Sequence, residues 1–198
     1  MKLRNFVATV SAALLICTLA SVASARNLSV SNQSLRAGFE TVEFQSLSTT
    51  TCQLTLEGSM HSRTIGKTIE SLVGYITSAV LGTCAAGSVT VLRETLPWHI
   101  KYSGFEGTLP RITSVRFHIV SAAWRIRESG GLACLARSSA TEPLVETVLV
   151  DESGRETVGL EGSIRTGGEC FGVSGSVRSD SPPICVPNSE TKVTVTLI

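Results

Sequence analysis

The chain has 198 residues, with 17 Lys and Arg against 16 Asp and Glu and a formal net charge of +1. A balance this close to neutral argues against a nucleic-acid partner, because phosphate backbones are bound by an excess of positive charge. Ser, Thr, Gly and Val are abundant, which is typical of exported β-rich domains, and the length favours one domain with a substantial core.

Residues 1–25 have the three parts of a secretory signal. Lys2 and Arg4 form a charged start, and the apolar middle leads to small residues before a predicted cleavage after Ala25. The apolar run is shorter than the roughly 20 residues that a spanning helix needs, so we expect no transmembrane segment in the mature chain. Lipoprotein anchoring at Cys17 is not favoured, because a bulky residue precedes the cysteine. The predicted location is extracellular.

The mature chain begins with a polar, aperiodic stretch that is predicted to be a flexible arm over 26–38, followed by a single β-rich domain over 39–198. Thr41 to Gln45 and Cys52 to Glu57 alternate apolar and polar residues, as half-buried strands do. We therefore predict two strands at the start of the domain.

The apolar period changes after the second strand and becomes helical. An amphipathic helix over about 63–79 is predicted, although Gly66 and Gly74 each cost up to about 1 kcal/mol in a helix interior. The apolar positions at helical spacing are Ile65, Ile69, Leu72, Val73, Ile76 and Val80.

The centre of the sequence contains two further alternating runs, from Trp98 to Tyr102 and from Val115 to Ile119, which predict an antiparallel strand pair. With Ile100 opposite Phe117, the outer face would pair His99 with His118 and Lys101 with Arg116. These four form a candidate binding patch, basic and pH-sensitive, for an anion or an acidic partner. A two-residue slip is a competing register, because like charges directly opposite each other repel. A solvated strand face, or one covered by the helix, is the plainer interpretation.

The rest of the chain adds shorter strands. Apolar residues lie at odd-numbered positions up to Ile119 and at even-numbered positions after it. This change predicts a bulge or bend near residues 121–123. Leu132 to Arg137 is a predicted strand, and residues 151–154 are predicted to join a hairpin of 145–150 and 156–160. With the C-terminal strand, the count is about nine strands, and the predicted fold is an antiparallel β-sandwich or barrel with one helix.

Five cysteines remain after the signal, and an exported chain uses them mainly in disulfides. We predict that Cys52 pairs with Cys84 and Cys134 with Cys170, which leaves Cys185 in a Pro-rich loop as a free thiol. None of the spacings matches a zinc site, so no metal and no cofactor are expected.

Catalytic sequence motifs are incomplete. Gly66-Lys67-Thr68 lacks the preceding glycine of a phosphate-binding loop, because His61 stands at that position, and Gly172 lies one place too early for a nucleophile elbow. A catalytic triad without such a motif stays possible, because triads are recognised by geometry.

Residues 56–65, 72–77, 95–102 and 107–110 resemble segments of uncharacterised secreted proteins of actinobacterial type. The resemblance covers roughly the middle third of the chain. It implies export from a bacterial cell and carries neither a mechanism nor a functional residue.

The predicted function is a secreted, non-enzymatic binding or cell-surface domain. One alternative is a barrel that carries a small apolar ligand in a cavity lined by Trp98, Tyr102, Phe117 and Trp124. The other is a secreted hydrolase that uses His99 or His118, which requires a histidine within hydrogen-bond reach of a carboxylate or a hydroxyl.

Overall fold

The computed structural model describes residues 27–108, 111–128, 130–150, 156–170 and 172–197. The predicted signal sequence, Cys17 and the hairpin loop 151–154 lie outside these residues. The described part forms fifteen strands and a short 3-10 helix, Arg93–Thr95. The strands are β1 Asn27–Val30, β2 Ser34–Gln45, β3 Thr49–Met60, β4 Thr64–Gly66, β5 Leu72–Cys84, β6 Ser88–Val91, β7 Trp98–Thr108, β8 Arg111–Val120, β9 Ala123–Arg127, β10 Ala133–Arg137, β11 Leu144–Val150, β12 Glu156–Gly168, β13 Ser174–Ser179, β14 Ile184–Cys185 and β15 Val195–Leu197.

Eight of these strands form a closed antiparallel ring in the order β11, β8, β7, β5, β3, β2, β13 and β12, because β11 also pairs with β12. Closing a sheet in this way satisfies the backbone groups that an edge strand would expose. The C-terminal half of β12 pairs with β10, and the sheet extends from there through β9 to β6. A separate three-stranded sheet consists of β15, β1 and β4. The prediction of a mostly β, antiparallel fold is confirmed.

The predicted helix over 63–79 is wrong, since this segment contains β4 and the first half of β5. Within this segment, the register of β5 shifts once against β3, between Glu57 and Gly58, and once against β7, so its inward positions are not spaced by two throughout. Val73, Ile76 and Ala79 are all buried, three residues apart. Two bulges in one strand therefore imitate the apolar period of a helix.

The predicted arm over 26–38 is also wrong within the described residues, because it contains β1 and the start of β2. Leu28 and Val30 are buried, and β1 pairs with β15 on one side and β4 on the other. Two apolar residues in a polar stretch are too few to predict a strand, and the partners that cover them are distant in sequence.

The pairing of β7 with β8 follows the alternative register, two residues away from the favoured one. Ile100 lies opposite Ile119, and Tyr102 lies opposite Phe117. The expected break after β8 is confirmed as a bend at Ser121, whose φ angle is 71°. Within the described residues, no helix is long and apolar enough to cross a membrane.

The two predicted disulfides are present, and they indicate an oxidising setting. Cys52 bonds to Cys84 across β3 and β5, and Cys134 bonds to Cys170. Cys185 is free and half-buried.

Candidate functional site

The four residues of the predicted basic patch do not meet as the favoured register required. Lys101 lies opposite His118, whereas Arg116 lies opposite Gly104 and His99 lies opposite Val120. The two-residue slip therefore separates Lys101 from Arg116, which avoids the repulsion between like charges. It also separates the two histidines.

A bulge in β7 places a serine beside His118. The register shifts between Tyr102 and Gly104, so Ser103 is the extra residue of the bulged strand. A bulge re-aims the side chain that it displaces. The hydroxyl Oγ of Ser103 lies 2.9 Å from Nε2 of His118, and both side chains are half-buried.

The third member of the cluster comes from the segment between β4 and β5. The backbone N–H of Glu70 donates to the carbonyl of Tyr102, and the N–H of Tyr102 donates to the carbonyl of Ser71. These bonds fix the segment on β7. Glu70 itself adopts a left-handed backbone, with φ at 62°, a conformation that costs a non-glycine residue of order 1 kcal/mol and recurs at functional sites.

The carboxylate of Glu70 binds two partners on the ring. Its Oε1 lies 2.7 Å from Nδ1 of His118, and its Oε2 lies 3.4 Å from Nζ of Lys101. Partial burial raises the pKa of this carboxyl, but the hydrogen bonds and charges of His118 and Lys101 lower it by more, so that the net shift is downward. The carboxylate is thus held in its ionised form.

The hydrogen bonds define one chemically useful arrangement of Ser103, His118 and Glu70. With the Nδ1 proton of His118 donated to Glu70, Nε2 carries a lone pair that can accept the proton of the Ser103 hydroxyl. Hydroxyl, imidazole and carboxylate stand in the same order as the nucleophile, base and orienting group of catalytic triads.

Arg116 lies next to this cluster. Its Nη1 is 2.7 Å from Oε1 of Glu106, and its Nη2 lies 4.0 Å from the position that a Cβ atom on Gly104 would occupy. A guanidinium therefore borders the residue that follows Ser103. Because Lys101 and His118 both pair with Glu70, and Arg116 pairs with Glu106, the patch is not purely basic.

His99 belongs to a different group on the outer surface. Its ring lies 5.4 Å from that of Tyr75, which in turn lies 4.8 Å from that of His61. Tyr75 pairs with His99 across β5 and β7, so the three rings form a row of tilted aromatic contacts. The histidine that the structure joins to a hydroxyl and a carboxylate is His118.

The four aromatic residues predicted to line a ligand cavity instead fill the core, where each is at most 2% exposed. The ring centroids of Trp98 and Trp124 are 5.2 Å apart, and Phe44 packs 5.6 Å from Trp124. Tyr102 and Phe117 are 6.3 Å apart, edge to face. Their rings thus contact one another as close-packed core side chains do.

A cavity of about 30 Å³ does lie within the ring, but other residues line it. Leu56 of β3 and Glu146 of β11 both face it, although these strands lie on opposite sides of the ring. Glu146 pairs with Phe117 and Leu160, both buried, so its side chain points inward. Glu146 is half-buried, and burial raises its pKa to about 7.

Comparison with protein-family models, with curated proteins and with solved structures gives no match to this chain. Among the described residues, no group of three His, Cys, Asp or Glu side chains is arranged to hold a metal ion.

Sequence reasoning missed Glu70, Ser103 and Glu146. Glu70 falls within the predicted helix, and its tertiary contact with His118 has no local signal in the sequence. The apolar residues of β7 lie at even-numbered positions up to Tyr102, whereas the next one, Phe105, lies at an odd-numbered position. This change indicates an extra residue near Ser103. Glu146 shares the parity of Leu144 and Val148, both buried, and this spacing marks it as an inward residue.

Proposed function

We propose that the protein is an exported serine hydrolase of the acyl-transfer class, with Ser103 as nucleophile, His118 as general base and Glu70 as the orienting carboxylate. The observation that carries the proposal is the continuous pair of contacts, 2.9 Å from Ser103 to His118 and 2.7 Å from His118 to Glu70. Export is inferred from the signal-like residues 1–25 and is consistent with two disulfides.

The reaction follows from the orientation of the imidazole. Ser103 Oγ attacks the acyl carbon of an ester while its proton passes to Nε2 of His118. The ester bond then breaks, and the alcohol leaves with that proton. Water attacks the acyl-serine with the help of the same imidazole, which releases the carboxylic acid and restores the serine.

Glu70 and two neighbouring cations stabilise the charges that form during this reaction. Glu70 stabilises the imidazolium that forms when His118 takes the proton, and Lys101 holds Glu70 in place. The guanidinium of Arg116 lies beside Gly104, the residue after Ser103, where its positive charge would stabilise the tetrahedral oxyanion.

The surroundings favour an ester with an apolar acyl group. Ile69 and Leu72 flank the Glu70–Ser71 segment and are 69% and 39% exposed, respectively. Large apolar side chains exposed next to a polar cluster provide a surface that an acyl chain can cover.

The test uses the secreted chain and nitrophenyl esters of increasing acyl length. We expect Ser103→Ala to lower the hydrolysis rate at least about 10³-fold. Ser176→Ala is the matched control, since Ser176 is a half-buried strand serine with one side-chain partner, Gln45. A fluorophosphonate should label Ser103, as mapped by mass spectrometry.

The competing hypothesis is the non-enzymatic binding or surface domain. An absence of turnover with every acyl length, together with no fluorophosphonate adduct, would reject the hydrolase and favour that hypothesis.

A further inference from the structure

Two large apolar side chains are exposed at one end of the molecule, on neighbouring turns. Leu47, between β2 and β3, is 51% exposed, and Leu132, between β9 and β10, is 45% exposed. A single exposed leucine is ordinary on a protein surface, but two of them held side by side form an apolar patch. We call this pair the leucine tip.

A buried glutamate fastens the two turns of the leucine tip together. Glu128 is 9% exposed, and its carboxylate accepts hydrogen bonds from the hydroxyls of Ser46 and Ser48 and from the backbone N–H of Leu47. The backbone N–H of Glu128 donates to the carbonyl of Leu132, 2.9 Å away. Both leucines are thus bonded through their backbones to the same residue, which fixes the turns while the apolar side chains face solvent.

The outer face of β9 places positive charge next to the leucine tip. Arg125 and Arg127 are exposed, whereas Trp124 and Ile126 are buried. Arg127 ends β9 beside the turn, and Arg125 lies about 7 Å further along the strand. In the described part of the chain, neither guanidinium forms a hydrogen bond or an ion pair. Their cross-strand neighbours are uncharged, namely Ser88, Thr90, Ala133 and Leu135.

The carboxylates at this end have other partners. Glu128 accepts the hydrogen bonds of the β2–β3 turn, and Glu169 accepts a backbone N–H of β10 at 2.5 Å. Arg137 of β10 is a third exposed arginine, and it lies opposite Arg165, which binds Glu142. The outer face of β9, β10 and β12 therefore carries an excess of positive charge.

We propose that this end of the protein docks on an anionic lipid bilayer, with Leu47 and Leu132 inserted at the bilayer surface and Arg125 and Arg127 bound to lipid phosphates. The polar layer of a bilayer is roughly 5 to 8 Å thick on each side. Leucines that reach its inner boundary therefore place Arg127 among the phosphates and Arg125 at their outer margin. Arginine binds phosphate through two parallel hydrogen bonds.

The combination of the two features selects a bilayer as the partner. Exposed arginines alone suit any polyanion, but inserted apolar side chains gain free energy only where hydrocarbon is present. The Ser103 cluster is not part of this surface. The leucine tip precedes the first residue of β3, whereas the far end of β3, at Met60, pairs with β5 close to Leu72. The 12 residues of β3 separate the two ends by about 35 to 40 Å, so this proposal does not depend on the hydrolase.

The test of the charge is co-sedimentation of the secreted chain with vesicles of phosphatidylcholine, with and without phosphatidylglycerol. We expect binding to the anionic vesicles that Arg127→Gln weakens about fivefold, because each cation near such a surface contributes about that factor. Arg178→Gln is the matched control, since Arg178 is an exposed strand arginine whose cross-strand neighbours are Glu43 and Glu161. It should weaken binding by less than about twofold. Equal losses in the two variants would reject the arginine face of β9 as the contact.

The test of the leucine tip uses the double variant Leu47→Ser and Leu132→Ser. We expect it to weaken binding to the anionic vesicles at least about fivefold, whereas Leu149→Ser, at a leucine of β11 that is 46% exposed, should leave it unchanged. Near-ultraviolet circular dichroism checks that each variant retains its packed core. A double variant that is folded and binds as tightly as the wild type would overturn the insertion and leave a surface for soluble polyanions.

A further measurement uses the wild type alone, in case the variants do not fold. Its affinity for vesicles should rise with the share of phosphatidylglycerol and fall as the NaCl concentration rises. It should also exceed the affinity for polyphosphate at the same phosphate concentration, because the leucines contribute only at a bilayer. Tighter binding to polyphosphate, or no sedimentation with anionic vesicles, would reject the proposal.

Discussion

The hydroxyl of Ser103 lies 2.9 Å from Nε2 of His118 because β7 contains one residue more than β8 at this point. Without that bulge, Ser103 would pair with Arg116 in the regular ladder. The extra residue moves the serine toward the histidine on the next strand, and Glu70 binds the other side of the imidazole. The proposed catalytic group is thus a product of one local irregularity in a closed ring.

Glu70→Gln should lower kcat for ester hydrolysis by about 10²- to 10⁴-fold. The amide has no charge to stabilise the imidazolium, and it can donate to Nδ1 and so favour the wrong tautomer. Glu142→Gln is the control, because Glu142 also accepts a hydrogen bond from a cation, Arg165, at 2.8 Å. If the two variants hydrolyse esters equally well, Glu70 has no part in the reaction.

Because Glu70 has a left-handed backbone, we expect glycine to give a more stable protein than alanine at this position, which is the reverse of the usual order. Both Glu70→Gly and Glu70→Ala remove the carboxylate, but only glycine adopts a φ of 62° without steric cost, so we expect the glycine variant to be more stable by about 1 kcal/mol. Urea unfolding of the two variants gives the difference. The same pair at Glu106, an exposed strand position, should show the usual order with alanine more stable.

Gly74→Ala distinguishes the observed strand from the predicted helix. A Cβ atom here would lie 2.5 Å from the carbonyl oxygen of Ser59 and 3.0 Å from Sδ of Met60, so we expect destabilisation of about 1 to 3 kcal/mol. In a helix the same change would stabilise by up to about 1 kcal/mol. Gly66→Ala is the control, because a Cβ there meets no atom within 4 Å. A stabilised Gly74→Ala variant would contradict the strand.

Glu146 should make the protein less stable as the pH rises. Burial raises its pKa to about 7, from 4.5, so the folded state binds the proton more tightly than the unfolded state does. The free energy of unfolding therefore falls between about pH 4.5 and pH 7, by on the order of 3 kcal/mol for this group. Glu156, whose pKa burial also raises to about 7 despite the hydrogen bond from Val195, contributes in the same direction.

Glu146→Gln should remove the share of this pH dependence that belongs to Glu146. Denaturant unfolding at pH 5 and pH 8 measures it, and the variant should lose about 3 kcal/mol less than the wild type over that range. Equal losses in the two proteins would assign the titration to another group. Arg36 and Glu57 also line the cavity, so Glu57→Gln serves as the comparison at its entrance.

The sequence by itself determined the β-rich class, the strands around Trp98 and Phe117 and the break after β8. These depend on local information, because an alternating pattern defines a half-buried strand. The helix failed for the same reason, since a local period cannot distinguish a helical face from a strand with two bulges, as β5 shows. The disulfide pairs were predicted correctly, but the sequence allows other pairings of five cysteines.

Only the tertiary structure decided the register of β7 and β8, the closure of the ring and both candidate sites. Register depends on contacts between residues distant in sequence, and Glu70 reaches His118 across 48 positions of the chain. Glu146 lies inside the ring because β11 pairs on both of its edges, with β8 and β12. The parity that Glu146 shares with Leu144 and Val148 predicts an inward position, but only the closed ring shows which residues surround its carboxyl.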